Sequence, residues 1–158
     1  MAGYHFALIG GAHPHSIGHL RTLQELPEVD RVTIVDPDSS VRDGYSDEAK
    51  VVAGVASLDV ALESDATHVY CCARNDEAPA VIEQCARAGR HIMAEKPLGL
   101  SAEHFEPARR AVAESGVTFG VAYTNRYSPS VREAQRILGL GVLGQPVAAE
   151  ARMITSQV

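Results

Sequence analysis

The sequence predicts an α/β protein built on a doubly wound, parallel, six-stranded sheet. Six short apolar runs recur before residue 124, and most are continuous rather than alternating, as is typical of parallel strands covered on both faces. Amphipathic helical segments separate these runs. Strands that alternate with helices at this spacing favour right-handed crossovers, which place all the strands in one parallel sheet.

Each element has its own signal in the chain. The strands are predicted at residues 6–9, 32–35, 51–53, 68–72, 91–93 and 117–123. The first helix is expected to end before Pro27, and a short helix follows Ser57. Another helix begins near Glu77, and the next has Ser101 as its N-cap; glycines at 89 and 116 are predicted to end these two helices.

After Tyr123 the pattern changes. Ser128 as N-cap and Pro129 at the first helical position predict a helix that ends near Gly139. The alternating run 147–154 predicts one strand of a second, antiparallel sheet. We therefore expect a nucleotide-binding domain over 1–124 and the truncated start of a second, α+β domain over 125–158. A single strand needs neighbours, so either the rest of that domain is missing or another chain supplies them.

Composition excludes several classes of function. The net charge of −6, with scattered Lys and Arg, argues against a nucleic-acid partner or an acidic membrane surface. The sequence contains no apolar run of the roughly 20 residues that span a bilayer. The three cysteines are interpreted as small core residues, which suits a reducing compartment. We expect a cytoplasmic protein.

The first strand leads into a loop with part of a dinucleotide-binding pattern. That pattern, G-x-G-x-x-G, lets backbone amides approach a pyrophosphate at a helix N-terminus. Counting from Gly10, the later glycine positions hold Ala12 and His15; counting from Gly11, they hold His13 and Ser16. Gly10, Gly11, Ala12, His13 and His15 are candidate cofactor-binding residues, although the glycine pattern alone is weak evidence.

The second strand ends at Asp36, near the spacing of the acidic residue that accepts from the adenosine ribose. Its charge would repel a 2′-phosphate, so NAD is favoured over NADP. The alternative is a turn residue with a capping role.

The segment His13-Pro14-His15, with His19 close by, invites a metal interpretation. Zinc needs three or four converging ligands, and the two histidines of such a turn rarely converge without a Cys or carboxylate partner. We therefore expect no metal. The alternatives are a histidine beside a bound phosphate or substrate, or a polar loop.

Glu95-Lys96-Pro97 directly follows the apolar run that ends at Ala94. It delivers a charged pair to the carboxyl end of a buried strand, where open α/β sheets bind ligands, and Pro97 prevents the strand from continuing. The alternative is a solvated ion pair in a strand-to-loop turn.

Over essentially all 158 residues the chain resembles the glucose-fructose oxidoreductase/inositol dehydrogenase family, Gfo/Idh/MocA. Six segments carry the resemblance: Val35-Asp36-Pro37, Asn75-Asp76, Ala88-Gly89-Arg90-His91, Ala94-Glu95-Lys96-Pro97-Leu98, Arg126-Tyr127 with Pro129, and Leu143-Gly144.

This resemblance implies a Rossmann-type domain of an NAD(P)-dependent oxidoreductase acting on CH–OH groups of a sugar- or cyclitol-like substrate. It implies that Lys96 is catalytic, close to nicotinamide and substrate, and that Pro97 lines the same cleft. Lys96, together with Glu95 and Arg126, is also assigned to the cofactor site. Ala73, Arg74 and Asn75 are also assigned there, although the family has Thr-Pro-Asn at these positions.

Family members carry a second domain that supplies the substrate pocket, and this chain stops one strand into it. We therefore expect the chain alone to be inactive. The alternative function is a non-catalytic Rossmann binding or dimerisation module. In either case we expect a homo-oligomer formed through the C-terminal strand, where Val147, Ala149, Ala151 and Met153 share one face.

Overall fold

The computed structural model describes residues 3–152 and divides into two compact units, one ending at Ala122 and one beginning at Tyr123. The first unit confirms the predicted sheet of six parallel strands. The strands lie in the order β3-β2-β1-β4-β5-β6. They span Tyr4–Ile9, Val29–Val35, Val51–Val55, His68–Cys71, His91–Ala94 and Phe119–Val121.

The helices of the first unit begin and end close to the predicted residues, and the structure contains one further helix in this unit. Ser57 and Ser101 are N-caps whose hydroxyls accept backbone N–H groups, and Gly89 and Gly116 follow their helices with φ of 72° and 70°. The helices are α1 (Ser16–Glu25), α2 (Ser39–Asp43), α3 (Leu58–Glu63), α4 (Ala78–Arg87) and α5 (Ala102–Ser115). Helix α2 was not predicted, because its five residues are too few to show a helical period.

Two apolar cores lie on opposite faces of the sheet. Residues of α3, α4 and α5 pack on one face, and residues of α1 and α2 pack on the other. Cys71 belongs to the first core and Cys72 to the second, as predicted from strand alternation.

Within the first unit, β5 is covered on one face only, contrary to the expectation of cover on both faces. Met93 is 40% exposed, and it lines an apolar cavity of about 490 Å³ together with Phe6, Leu23, Tyr70 and Phe119. Residues of α1 and α2 form the core on that side together with β1 and β2, and this core contains no residue of β5.

The second unit begins with a 3-10 helix (Thr124–Tyr127) and α6 (Pro129–Gly139). The hydroxyl of Ser128 accepts the backbone N–H of Val131, which confirms the predicted N-cap. The predicted strand at 147–154 is wrong over residues 147–152, which carry no strand pairing. A strand needs a neighbour to satisfy its N–H and C=O groups, and the described part of this unit offers none. Residues 153 and 154 lie outside the described residues.

No helix within residues 3–152 is long and apolar enough to cross a membrane.

Candidate functional site

The order of the strands reverses between β1 and β4, and the candidate residues of the first unit gather at the carboxyl ends of the strands on this edge. Open α/β sheets bind ligands in the crevice at such a switch point. The fold therefore places the loops after β1, β2, β4 and β5 along one edge, as the sequence predicted.

Gly10 ends β1 in a conformation that requires glycine. Its φ is +80°, and a Cβ at this position would lie 2.4 Å from the carbonyl oxygen of Cys72. The buried hydroxyl of Ser16 donates to the Gly10 carbonyl at 2.7 Å, which ties the start of α1 to the loop. The loop is thereby held close against the segment that follows β4.

The next two residues of the loop are fixed by side chains from β2 and the chain after α2. The hydroxyl of Tyr45 donates to the Gly11 carbonyl at 2.7 Å. The backbone N–H of Ala12 donates to Asp36 Oδ2 at 3.0 Å. The side chain of Ala12 is exposed, so the loop surface at this position is open.

Asp36 is buried at the end of β2, with 5% of its surface exposed. Its Oδ1 accepts the backbone N–H of Asp38 at 3.0 Å, so the turn role is present in the structure, whereas the N-cap of α2 is Asp38. Each carboxylate oxygen has a further lone pair, which leaves capacity for a ribose hydroxyl. The cofactor role of Asp36 stays a prediction.

Arg42 of α2 contacts the backbone of this turn and was not predicted from the sequence. One guanidinium nitrogen donates to the carbonyls of Asp36 and Pro37 at 2.6 and 3.0 Å. Arg42 sits in a helix too short to be recognised by its period, which is why sequence reasoning missed it.

The two candidate histidines of the loop have different environments. His13 Nδ1 accepts the backbone N–H of His15 at 3.1 Å. Burial, with the nearby His15, lowers the pKa of His13 below its ordinary value, which favours the neutral ring at pH 7. His15 immediately precedes α1 as its N-cap, without a capping hydrogen bond from its side chain, and its side chain is 52% exposed.

Glu95 follows β5. Its carboxylate side chain is buried, with 5% of its surface exposed. It accepts from His15 Nδ1 at 3.2 Å and from His19 Nε2 at 2.8 Å. Burial raises the pKa of Glu95, but the hydrogen bonds from His15 and His19 outweigh this effect and leave the pKa below its ordinary value. Glu95 is therefore ionised at neutral pH.

Lys96 is the cation of this edge. Its Nζ lies 3.4 Å from Glu95 Oε1, and its side chain is 49% exposed. The Glu95 carboxylate thus holds the Lys96 ammonium group itself at the sheet edge, and the Lys96 side chain stays half exposed. A cis peptide bond joins Lys96 to Pro97, which is exposed.

Four further residues were predicted to bind the cofactor: Ala73, Arg74, Asn75 and Arg126. Ala73 is half-buried after β4, and Arg74 and Asn75 are exposed. The Arg74 guanidinium pairs with the carboxylate of Asp76, at 3.2 Å. Arg126 is exposed in the 3-10 helix of the second unit. The cofactor roles of these four residues stay predictions.

The loop fits a dinucleotide at its glycine and at the helix that follows. Gly10 has no room for a Cβ, and α1 has neither an acidic residue in its first turn nor a side-chain cap, so its N-terminal N–H groups keep their attraction for an anion. His15, at a glycine position of the pattern, turns its ring toward Glu95. The residues therefore fit a pyrophosphate at this edge.

The first unit matches the sequence model of a known protein family. Residues 4–123 match the sequence model of GFO_IDH_MocA, described as an oxidoreductase family with an NAD-binding Rossmann fold. The chain belongs to this family. The matched segment corresponds to the first unit, so the first unit is the NAD-binding domain of a Gfo/Idh/MocA oxidoreductase.

Two curated relatives come from Bacillus subtilis. An uncharacterized oxidoreductase is 24% identical over 81% of this chain and 38% of its own length. The scyllo-inositol 2-dehydrogenase (NAD(+)) is 36% identical over 42% of this chain and 20% of its own length. The chain thus spans well under half of the length of these relatives.

A solved structure shows the same fold. The WlbA dehydrogenase from Bordetella pertussis, in complex with NADH and UDP-GlcNAcA, superposes with a TM-score of 0.83 at 22% identity. The likeness covers 90% of this chain and 41% of that protein. These comparisons support an enzyme family rather than the alternative of a non-catalytic module.

Proposed function

We propose that this chain is the nucleotide-binding part of an NAD-dependent dehydrogenase that oxidises a CH–OH group of a sugar- or cyclitol-like substrate. The observation that carries the proposal is the position of the Glu95-Lys96 pair at the switch-point edge, beside the loop that contains Gly10 and the Asp36 carboxylate. The names of relatives, such as the scyllo-inositol dehydrogenase and an inositol 2-dehydrogenase of Rhizobium meliloti, support the substrate class.

In such a reaction a bound nicotinamide would supply the hydride acceptor, and the hydroxyl proton would pass to solvent water as the carbonyl forms. Lys96 is the residue proposed to assist at the hydroxyl. Its ammonium group pairs with Glu95 and its side chain is 49% exposed, so its other N–H groups can hydrogen-bond to the substrate oxygen and stabilise negative charge as the proton leaves.

The proposed division of work among the other residues follows from their contacts. Gly10 and the start of α1 take the pyrophosphate, and Asp36 takes the adenosine ribose. Asp36 also holds the N–H of Ala12, so it couples the shape of the loop to the ribose site. The negative charge of Asp36 favours NAD over NADP.

We also propose a cytoplasmic location and self-association, on different grounds. Cys71, Cys72 and Cys85 are all free and buried, as in proteins of a reducing compartment. The second unit exposes Val147 at 98%, in the segment after Gly144, which a second copy would cover.

The proposed cofactor site is tested by blocking the loop without touching the core. Ala12 is exposed and lies where the pattern requires a small residue, so Ala12→Leu should fold normally and fill the space of the pyrophosphate. Ala113→Leu, at an exposed position of α5, is the matched control. We expect NADH fluorescence titration to show binding by the wild type and the control, and at least tenfold weaker binding by Ala12→Leu. Equal binding by all three proteins would contradict the proposed site.

A further inference from the structure

Three metal-ligating side chains converge at the edge of the first unit. The donor atoms of His15, His19 and Glu95 all lie within 4.8 Å of one another. The proposed dehydrogenase function uses Glu95 as the partner of Lys96 but gives no role to the three side chains as a set, and the sequence predicted no metal here because the His-Pro-His turn lacked a carboxylate partner. The fold supplies that partner as Glu95, which arrives from the end of β5.

The two histidines are placed by one turn of helix. The backbone N–H of His19 donates to the carbonyl of His15 at 3.0 Å, so the residues stand at positions i and i+4 on one face. This spacing is the one by which helices present two imidazoles to a single zinc ion.

The ring of His19 is held in place before any ligand arrives. It stacks on Tyr70 of β4 with ring centroids 4.2 Å apart and an interplanar angle of 23°. The Glu95 side chain, at 5% exposure, is equally confined. Two of the three ligands are therefore preorganised, and only the more exposed His15 is free to adjust.

The separations of the donor atoms suit a tetrahedral metal. With metal–ligand bonds of about 2.0–2.1 Å, neighbouring donors around zinc lie roughly 3.3 Å apart. The observed separations are 3.2 Å from His15 Nδ1 to Glu95 Oε1 and 2.8 Å from His19 Nε2 to Glu95 Oε2. These two distances end on different oxygens of Glu95, and the three donor atoms lie within 4.8 Å of one another, so the exposed His15 side chain must move for both nitrogens and one oxygen to reach a single cation.

The neighbouring groups define the coordination further. His13 lies outside the ligand set, because the donor atoms that converge belong to His15, His19 and Glu95. Lys96, whose Nζ lies 3.4 Å from Glu95, is the cation that a metal would displace from that carboxylate. Because the His15 side chain is half exposed, a fourth position faces solvent.

We propose that His15 Nδ1, His19 Nε2 and a carboxylate oxygen of Glu95 bind one divalent transition-metal cation, with zinc as the representative ion and water in the fourth position. The two ring nitrogens that donate to Glu95 become ligands when their protons move to the other nitrogen of each ring. Nitrogen donors with one carboxylate select zinc-like cations over Mg²⁺ or Ca²⁺, which prefer oxygen ligands throughout.

The experiment is a calorimetric titration of the full chain with zinc chloride, followed by cobalt substitution and its visible absorption spectrum. We expect one equivalent of zinc to bind and cobalt to give the intense bands of a tetrahedral site. His19→Gln and His15→Gln should each weaken zinc binding by well over tenfold, since even the loss of an outer partner costs about 10–100-fold. His68→Gln is the matched control, because His68 has the Thr67 hydroxyl and the His91 ring as neighbours instead of a carboxylate.

Thermal unfolding separates loss of the site from loss of the fold. His15 is the least buried ligand, so His15→Gln should keep the wild-type melting temperature without metal and lose the rise that zinc gives the wild type. Zinc binding that is equal in wild type, His15→Gln and His19→Gln would overturn the proposal, as would a stoichiometry near zero. Neither readout involves NADH, so failure here is distinguishable from failure of the proposed cofactor site.

Discussion

Oε2 of Glu95 lies 2.8 Å from Nε2 of His19, a residue 76 positions earlier in the chain. This contact joins the residue that precedes Lys96 to the first helix after the glycine loop. Glu95 is therefore the structural link between the two segments that carry the proposed cofactor and catalytic residues.

Replacing Glu95 with Gln should destabilise the first unit. The variant leaves a neutral amide between two histidines in a buried place, and loss of such charged hydrogen bonds costs about 1–3 kcal/mol. Urea denaturation measures the change in unfolding free energy. Glu77→Gln is the control, because Glu77 is exposed and its one ion pair, with Arg74, is long at 4.0 Å. This variant should change the free energy of unfolding little. Equal stability of both variants would show that Glu95 contributes no more than a surface pair.

Gly10→Ala should be much more destabilising than Gly89→Ala. Both glycines have positive φ, 80° and 72°, so both changes carry the backbone cost of about 1 kcal/mol. Only at Gly10 would the new Cβ lie 2.4 Å from a backbone oxygen, that of Cys72, whereas nothing lies within 4 Å at Gly89. Melting temperatures of the two variants measure the difference, and similar values would contradict the close approach of the loop to Cys72.

Asp65 should make stability fall in acid. Hydrogen bonds from Arg31 and then from His5 hold the pKa of Asp65 below its ordinary value. Its stabilising contribution is therefore complete above the unfolded pKa, near 4, and is lost as pH falls through the lower folded pKa. Asp65→Asn should be less stable than wild type at pH 7, and the gap should close at the lowest pH. A gap that is unchanged at low pH would contradict this origin.

Self-association should depend on the chain after Gly144. Light scattering at high micromolar concentration is expected to give a dimer for the full chain and a monomer for a chain cut after Gly144, which retains all six strands. Circular dichroism of the shorter chain checks that the sheet is kept. A monomeric full chain would contradict the prediction.

Most of the sheet could be predicted from sequence because each strand is a continuous apolar run between clear helix signals. Ser101 and Gly116 mark α5 by local chemistry alone, since a hydroxyl cap and a left-handed glycine act within one turn. The segment after residue 146 could not be predicted in the same way. Its alternating pattern fits a strand, but a strand forms only where a neighbouring strand supplies hydrogen bonds.

The site was predicted residue by residue but not as a set of contacts. Asp36 and Lys96 were chosen as candidates because strand ends at a switch point carry ligand-binding groups, and their roles stay predictions. The convergence of Glu95 with His15 and His19 could not be predicted, because it depends on how the crossover after β4 places β5 relative to α1. The i and i+4 spacing of His15 and His19 was the available signal, and it lacked the third ligand.

The most direct test of the account is a calorimetric titration of the full chain with NADH and, separately, with NADPH. The proposed site, with a buried Asp36 at the end of β2 and an accessible loop at Gly10 to Ala12, predicts saturable binding of one NADH per chain. It also predicts at least tenfold weaker binding of NADPH, because the Asp36 carboxylate repels the 2′-phosphate. Tighter binding of NADPH would contradict the role given to Asp36, and no binding of either dinucleotide would contradict the proposed function.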